Sequence, residues 1–322
     1  MRVPPFAVPD VLVLSGGGVL GEAWMTGVLA GIEDAAGLDL RRTEAFVGTS
    51  AGSIVGASLA AGRSPRRPAE GAPAVAPADD PAEGAAADDP GADGGGALNG
   101  GAALRGALRT AGAVAWATTA PAASAALTLG APGGALVRAA ALARMPSGHR
   151  SLRDLGTRVA GWGVRFDGRL RVCAVDRRSG RRVIFGAPGA PAAEVGEAVV
   201  ASCSIPWVFE PVAIGGREYV DGGVWSVTNL DAAPAGRDTH VLCLDVLSGL
   251  DPGSRGMTAM RRAFRVAAEL ETQLLRRRGA HVLRIGPDGA AAEVLGTDVM
   301  DPGPRDAVLA AGFRQGAALA GG

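Results

Sequence analysis

The chain has 322 residues, with 32 basic and 32 acidic side chains and a formal net charge of zero. A chain of this length can bury a substantial core, and we expect one domain over residues 1–322. The balanced charge produces no global field that would attract a polyanion, so no nucleic-acid partner is predicted.

The cysteines and the N-terminal residues indicate the cellular compartment. Cys173, Cys203 and Cys243 are odd in number, widely spaced and without a C-x-x-C pair, so we expect reduced thiols in the core. The three histidines do not cluster with them, and no zinc site is predicted. Pro4 and Pro5 interrupt any helical signal segment, so we expect a cytoplasmic protein.

Apolar runs in the first sixty residues predict alternating strands and helices. We expect a strand over 11–14, a glycine turn, a helix over 21–36 that Gly37 ends, a strand over 45–48 and a helix over 51–61. This order favours a parallel sheet covered by helices, which is an α/β fold.

The amino-acid composition changes in the middle of the chain. Residues 63–101 contain few aliphatic side chains and predict a disordered, low-complexity insertion, whereas residues 102–145 are alanine-rich and predict a helical cap. Residues 110–137 are uncharged and long enough to span a bilayer, but Pro121 and Pro132 favour a buried or interfacial helical pair.

Further elements are predicted after this cap. Helices are expected over 152–160, 194–201 and 258–278, a hairpin over 170–176 and 182–185, and strands over 217–220, 240–246 and 281–285.

The segment FVGTSAG at residues 46–52 contains the pattern G-x-S-x-G between a predicted strand and a predicted helix. A sharp strand-to-helix turn needs small residues such as Gly48 and Gly52, and the helix N-terminus favours negative charge at Ser50. Ser50 is therefore a candidate nucleophile. The alternative is a glycine-lined turn whose serine caps the helix.

A second glycine-rich segment, GGGVLG at residues 16–21, matches G-x-G-x-x-G after the first strand. Its amides could hold a dinucleotide pyrophosphate, but the next strand lacks the acidic residue that would bind the ribose. The same amides could stabilise the oxyanion that forms when a serine attacks an ester, and the serine turn favours this interpretation. A glycine turn selected for tight packing is the remaining alternative.

A nucleophilic serine requires a base. His240 and His281 open strands and His149 follows a proline, so none is well placed. Asp221 ends a strand-like run and precedes two glycines, which lets its carboxylate point into a cleft, where burial would have to raise its pKa. The alternative is an Asx turn.

These three motifs, in this order, resemble those of the patatin-like phospholipase family. The segment ASCSIPWVFEPV at residues 201–212 also looks like the stretch that precedes the family's aspartate, and the resemblance covers residues 11–61 and 194–245. It implies a three-layer α/β/α sandwich with a mainly parallel central sheet. It also implies hydrolysis of lipid esters.

By this resemblance Ser50 attacks the ester carbonyl, Asp221 accepts its proton, and water later opens the acyl-enzyme. The implied substrate is a lipid or ester, reached by transient contact with a membrane surface, and no metal or other cofactor is implied. Leu20 departs from the family pattern, which usually has arginine or lysine there. The implied residues are catalytic Ser50 and Asp221, oxyanion-hole Gly16, Gly17, Gly18 and Val19, and supporting Gly48, Gly52, Gly222, Gly223 and Asn229.

Two other functions stay open, as does the oligomeric state. One is an acyltransferase or thioesterase-like enzyme in which His240 or His281 serves Ser50. The other is a weakly catalytic lipid-binding protein, suggested by Leu20 and by the low-complexity insertion.

Overall fold

The computed structural model describes residues 7–69, 132–248 and 255–321, which form eight strands and eight helices. The strands are β1 (Val11–Leu14), β2 (Ala45–Thr49), β3 (Leu170–Asp176), β4 (Arg182–Phe185), β5 (Val212–Ile214), β6 (Arg217–Asp221), β7 (His240–Leu244) and β8 (His281–Ile285). The helices are α1 (Gly18–Ala36), α2 (Ala51–Ala60), α3 (Pro132–Arg144), α4 (Arg153–Ala160), α5 (Val195–Cys203), α6 (Arg255–Arg277), α7 (Gly289–Leu295) and α8 (Arg305–Gly321).

All eight strands belong to one mixed sheet. Its order is β5-β6-β3-β2-β1-β7-β8, with β4 paired to β3 outside this path. The strands β3, β2, β1, β7 and β8 run parallel, whereas β4 pairs antiparallel with one edge of β3 and β6, itself paired antiparallel with β5, with the other edge. The expected α/β fold with a mainly parallel sheet is confirmed.

Both faces of the central strands are buried, as is usual for a parallel sheet. In β1, Leu12 and Leu14 pack into the larger core, which contains residues of α1, α2, α5 and α8. Val11 and Val13 face the opposite side, in a smaller core that includes Leu275 of α6. Helices therefore cover the sheet on two sides, in three layers.

Most predicted elements are present with small shifts at their ends. Strand β8 has the predicted bounds, β3 and β4 form the predicted antiparallel hairpin, and all three cysteines are buried and free. Only α3 of the predicted helical cap lies among the described residues; most of the predicted insertion and of the cap falls at 70–131, outside them. No helix in the described ranges has the length and apolar content needed to cross a membrane.

Helices α7 and α8, which were not predicted, close the fold at its C-terminal end. Helix α8 lies directly against α1, where a Cβ atom on Gly27 or Gly31 would overlap the backbone of α8, and one on Gly316 would overlap the carbonyl of Val28. The Trp24 indole N–H donates to Oε1 of Gln315 at 2.9 Å, which fixes the register of the two helices. Glycine is therefore required here by backbone contact between helices.

We predict that Gly316→Ala destabilises the protein, although glycine-to-alanine changes inside helices normally stabilise by up to about 1 kcal/mol. The added methyl group must push α8 away from α1, and overpacking of this kind lowers the free energy of unfolding by about 1–3 kcal/mol. Urea denaturation measures the change. Gly321→Ala, on the same helix with open space around it, is the control and should have little effect; equal behaviour of the two variants would contradict the prediction.

Candidate active site

The turn that follows β2 has the geometry of a strained strand-to-helix junction. Ser50 lies between β2 and α2 with φ 51° and ψ −123°, a conformation that L residues rarely adopt. A Cβ atom on Gly52 would overlap the Leu14 carbonyl, and one on Gly48 would overlap the backbone of Ser53. The two glycines are therefore needed for the turn, and Ser50 does not cap α2 through its side chain.

The backbone of Ser50 is held by a residue whose role the sequence analysis missed. The Ser50 amide donates to Oγ of Ser202 at 2.9 Å, and that hydroxyl donates to the Cys173 carbonyl at 2.7 Å. Ser202 is completely buried in α5, so this hydroxyl connects the turn to β3. A serine in the otherwise apolar run AVVASC was the available sequence signal.

Asp221 is the last residue of β6, and its two carboxylate oxygens differ. Oδ1 accepts a hydrogen bond from the Gly223 amide at 2.7 Å, which is the bond of an Asx turn. Oδ2 is buried and has no hydrogen-bond partner among the described residues. The side of Gly222 where a Cβ atom would project is closed by the Cys173 carbonyl, so glycine is needed there too.

The sheet brings Ser50 and Asp221 to the same place. Thr49 at the end of β2 pairs with Cys173, and Asp221 at the end of β6 pairs with the next residue of β3, Ala174. Because β4 occupies the other edge of β3 at these positions, β2 and β6 must lie end to end along one edge. The last residues of these two strands, which run in opposite directions, therefore meet at one point along the edge of β3.

Burial dominates the electrostatics of Asp221. It raises the pKa of the carboxyl from 3.8 to about 7, while the Gly223 amide and the neighbouring Ser50 hydroxyl act in the opposite direction. The Ser50 hydroxyl thus lies near enough to favour the charged form, although no donor in the described ranges reaches Oδ2 in normal hydrogen-bonding geometry. An aspartate with a pKa near neutrality can accept a proton from a hydroxyl group.

Asn229 connects the ends of the two strands. Its side-chain amide donates to Oγ1 of Thr49 at 3.0 Å and to the Gly222 carbonyl at 3.3 Å, and its Oδ1 accepts from Arg182 at 3.0 Å. Asn229 is completely buried, with φ 47°, a left-handed conformation that asparagine tolerates better than most residues. Its contacts span the residue before Ser50 and the residue after Asp221.

The glycine loop lies beside Ser50. A Cβ atom on Gly16 would be 3.5 Å from Cβ of Ser50, but the Gly16 amide already donates to the Val227 carbonyl at 2.9 Å. Its amide is therefore not available to a ligand. The amides of Gly17, Gly18 and Val19, at the N-terminus of α1, have no acceptor among the described residues.

Leu20 has a packing role. Its side chain is completely buried in the larger core, and its amide donates to the Val299 carbonyl at 3.0 Å. The position where the resemblance expects a cation therefore points away from solvent in this protein.

The histidines named as alternative bases lie far from Ser50. His240 and His281 begin β7 and β8, stack with ring centroids 4.9 Å apart and are exposed. Because β2, β7 and β8 run parallel, these rings lie at the opposite end of the strands from Ser50, separated by roughly the 15 Å length of a five-residue strand. His149 is exposed between α3 and α4.

We predict that Asp221→Asn stabilises the folded protein, and does so more at pH 8.5 than at pH 5. The folded carboxyl holds its proton up to about pH 7 and the unfolded one loses it near pH 4, so the wild-type protein loses stability as the pH rises between these values. Asparagine removes this penalty, which is on the order of 2–4 kcal/mol above pH 7.

Urea denaturation at both pH values measures this difference. Asp301→Asn is the matched control, because it changes an exposed aspartate whose Oδ1 likewise accepts from the glycine amide two residues on, that of Gly303, at 3.0 Å. A stabilisation by Asp221→Asn that is the same at pH 5 and pH 8.5 would contradict the burial argument.

A family model described as patatin-like phospholipase matches residues 12–234. Among solved structures, the chain is similar to VipD from Legionella pneumophila, with a TM-score of 0.40 and 14% sequence identity over 98% of this chain and 67% of that one. None of the curated proteins matches the chain.

Proposed function

The chain belongs to the patatin-like phospholipase family, which supports lipid acyl hydrolase activity, and we propose that the reaction runs through a Ser50–Asp221 dyad and a covalent acyl-enzyme. The observation that carries the proposal is the convergence of the strained serine turn and the buried aspartate at one point on the edge of β3. The substrate is a carboxylic ester of lipid type.

In the first step the Ser50 hydroxyl attacks the ester carbonyl carbon, and its proton passes to Asp221. Oδ1 is occupied by the Gly223 amide, so the buried Oδ2 is the acceptor that remains. The protonated aspartate then gives this proton to the departing alcohol as the bond from carbon to the alcohol oxygen breaks. Ser50 is left esterified by the acyl chain.

In the second step water attacks the acyl-enzyme and loses a proton to Asp221. Collapse of the tetrahedral intermediate releases the fatty acid, and the proton returns to the Ser50 oxygen. Each step forms an oxyanion, for which the amides of Gly17, Gly18 and Val19 at the N-terminus of α1 are the proposed donors. Gly16 is left out of this set because its amide is bonded to Val227.

We predict that Ser50→Ala abolishes both hydrolysis of p-nitrophenyl esters and labelling by a fluorophosphonate probe, because the nucleophile is lost. Asp221→Asn should lower kcat about 10²- to 10⁴-fold, the usual contribution of a general base. His240→Ala and His281→Ala serve as controls and should keep full activity.

Inactivation by either histidine change would favour the Ser–His alternative. Folded wild-type protein that resists the probe would instead favour a lipid-binding protein without catalysis. A screen of phospholipids, monoglycerides and short esters then identifies the substrate class.

We predict that kcat/KM rises with pH and levels off above an apparent pKa of about 7. The base must be unprotonated to accept the Ser50 proton, and burial raises the pKa of Asp221 to about 7. The rate of fluorophosphonate labelling measured from pH 5 to pH 9 should follow the same curve. A profile that is flat down to pH 5 would mean that the base is an ordinary exposed carboxylate or another group.

A further inference from the structure

The loop that carries Asn229 is held from behind by a buried carboxylate. Glu271 lies in the C-terminal half of α6 and is 1% exposed. Its Oε2 accepts hydrogen bonds from Oγ1 of Thr228 at 2.6 Å and from the Leu230 amide at 2.8 Å. Glu271 therefore bonds to the residues immediately before and after Asn229.

This carboxylate is not explained by stability alone. Its Oε1 is buried without a hydrogen-bond partner among the described residues, and burial of an incompletely bonded carboxylate opposes folding. Burial and the nearby Asp231 raise the pKa of Glu271 to about 7, against the opposing effects of Thr228, Ser226 and Arg182. An apolar residue in this helix position would avoid the penalty, but it could not hold Thr228 and Leu230.

The contacts continue from Glu271 to the site. Thr228 also bonds to Ser226 at 3.2 Å, and the Asn229 amide donates to Oγ of Ser226 at 3.1 Å, so the loop is tightly connected. Asn229 then reaches Thr49 and Gly222, one residue before Ser50 and one after Asp221. A shift of this loop would disturb the hydrogen bonds that join the ends of β2 and β6 beside Ser50 and Asp221.

We propose that Glu271 is a positioning residue for the Ser50–Asp221 site, which it serves by fixing the Thr228–Leu230 loop and, through Asn229, the ends of β2 and β6. The inference rests on the proposed function. It assigns a role to α6, which lies outside the residues matched by the family model. Glu271 itself contacts no reacting atom.

The test compares Glu271→Ala with Glu271→Gln. Alanine removes the acceptor for Thr228 and Leu230, and we expect kcat to fall about tenfold to a hundredfold with KM nearly unchanged, as small misplacements of catalytic groups do. Glutamine supplies an uncharged oxygen at the same place, and kcat should stay within about threefold of the wild-type value. Rates are expressed per site titrated with fluorophosphonate, so that loss of folded protein does not contribute.

Glu269→Ala is the matched control on the same helix. Glu269 is half exposed and makes only long contacts, with Arg284 at 3.4 Å and with Gln273 at 3.3 Å, so its removal should leave kcat unchanged. Equal losses in Glu271→Ala and Glu271→Gln, or the same loss in Glu269→Ala, would overturn the proposal.

A Thr228→Val variant covers the case in which Glu271→Ala does not fold. Valine keeps the shape of threonine but removes the hydroxyl that donates to Glu271, so we expect a lower kcat and an unchanged KM. Combining Thr228→Val with Glu271→Ala, where both fold, should lower kcat less than the product of the two single effects, because both act through one contact. Wild-type kcat in folded Thr228→Val would refute the proposal.

A measurement without substrate separates this proposal from the proposed function. Amide hydrogen exchange at Asn229 and Leu230 should become faster in Glu271→Ala, and in Thr228→Val, but not in Glu269→Ala. If ester hydrolysis persists in Ser50→Ala, the dyad fails, and the exchange rates still decide whether Glu271 holds the loop. Unchanged exchange rates at Asn229 and Leu230 in both Glu271→Ala and Thr228→Val would rule out the positioning role.

Discussion

The end-to-end meeting of β2 and β6 on one edge of β3 is the constraint on which the rest of the site depends. Adjacent residues of β3, Cys173 and Ala174, pair with the last residues of the two strands, so the backbone ladders determine the separation of Ser50 and Asp221. Hydrogen bonds from two side chains add to these backbone ladders. Ser202 ties the Ser50 amide to the Cys173 carbonyl, and Asn229 bonds to both strand ends.

Two carboxylates in this region are buried with one oxygen unbonded to any described residue. Burial raises the pKa of both Asp221 and Glu271 to about 7. Nearby, Arg182 and Asp231 instead form a two-bond ion pair at 2.6 and 2.8 Å. Arg182 is bonded to Asp231 and Asn229, whereas burial dominates the pKa of Asp221, which stays near 7. Perturbed groups of this kind are concentrated at functional sites.

The sequence predicted features that neighbouring residues determine, and it did not predict contacts between segments that are far apart in the chain. Gly48, Ser50 and Gly52 could be recognised because a sharp turn leaves its signature in neighbouring residues. The bond from Gly16 to Val227, and the contact of Gly27 and Gly31 with α8, depend on how separate segments pack, which periodicity does not encode. The antiparallel pairing of β6 with β3 belongs to the same class, whereas the role of the catalytic and oxyanion residues stays a prediction.

The segments after residue 234 help to form the glycine loop itself. The Val246 side chain would lie 2.8 Å from a Cβ atom on Gly17. The Val299 carbonyl accepts a hydrogen bond from the Leu20 amide and also occupies the space where a Cβ atom on Gly18 would project. Strand β7 separates β1 from β8 inside the sheet, so a fragment ending at residue 234 would expose an edge of β1. It would also uncover the face of α1 that bears Gly27 and Gly31. The part of the chain outside the family match therefore supplies contacts on which the glycine loop and α1 depend.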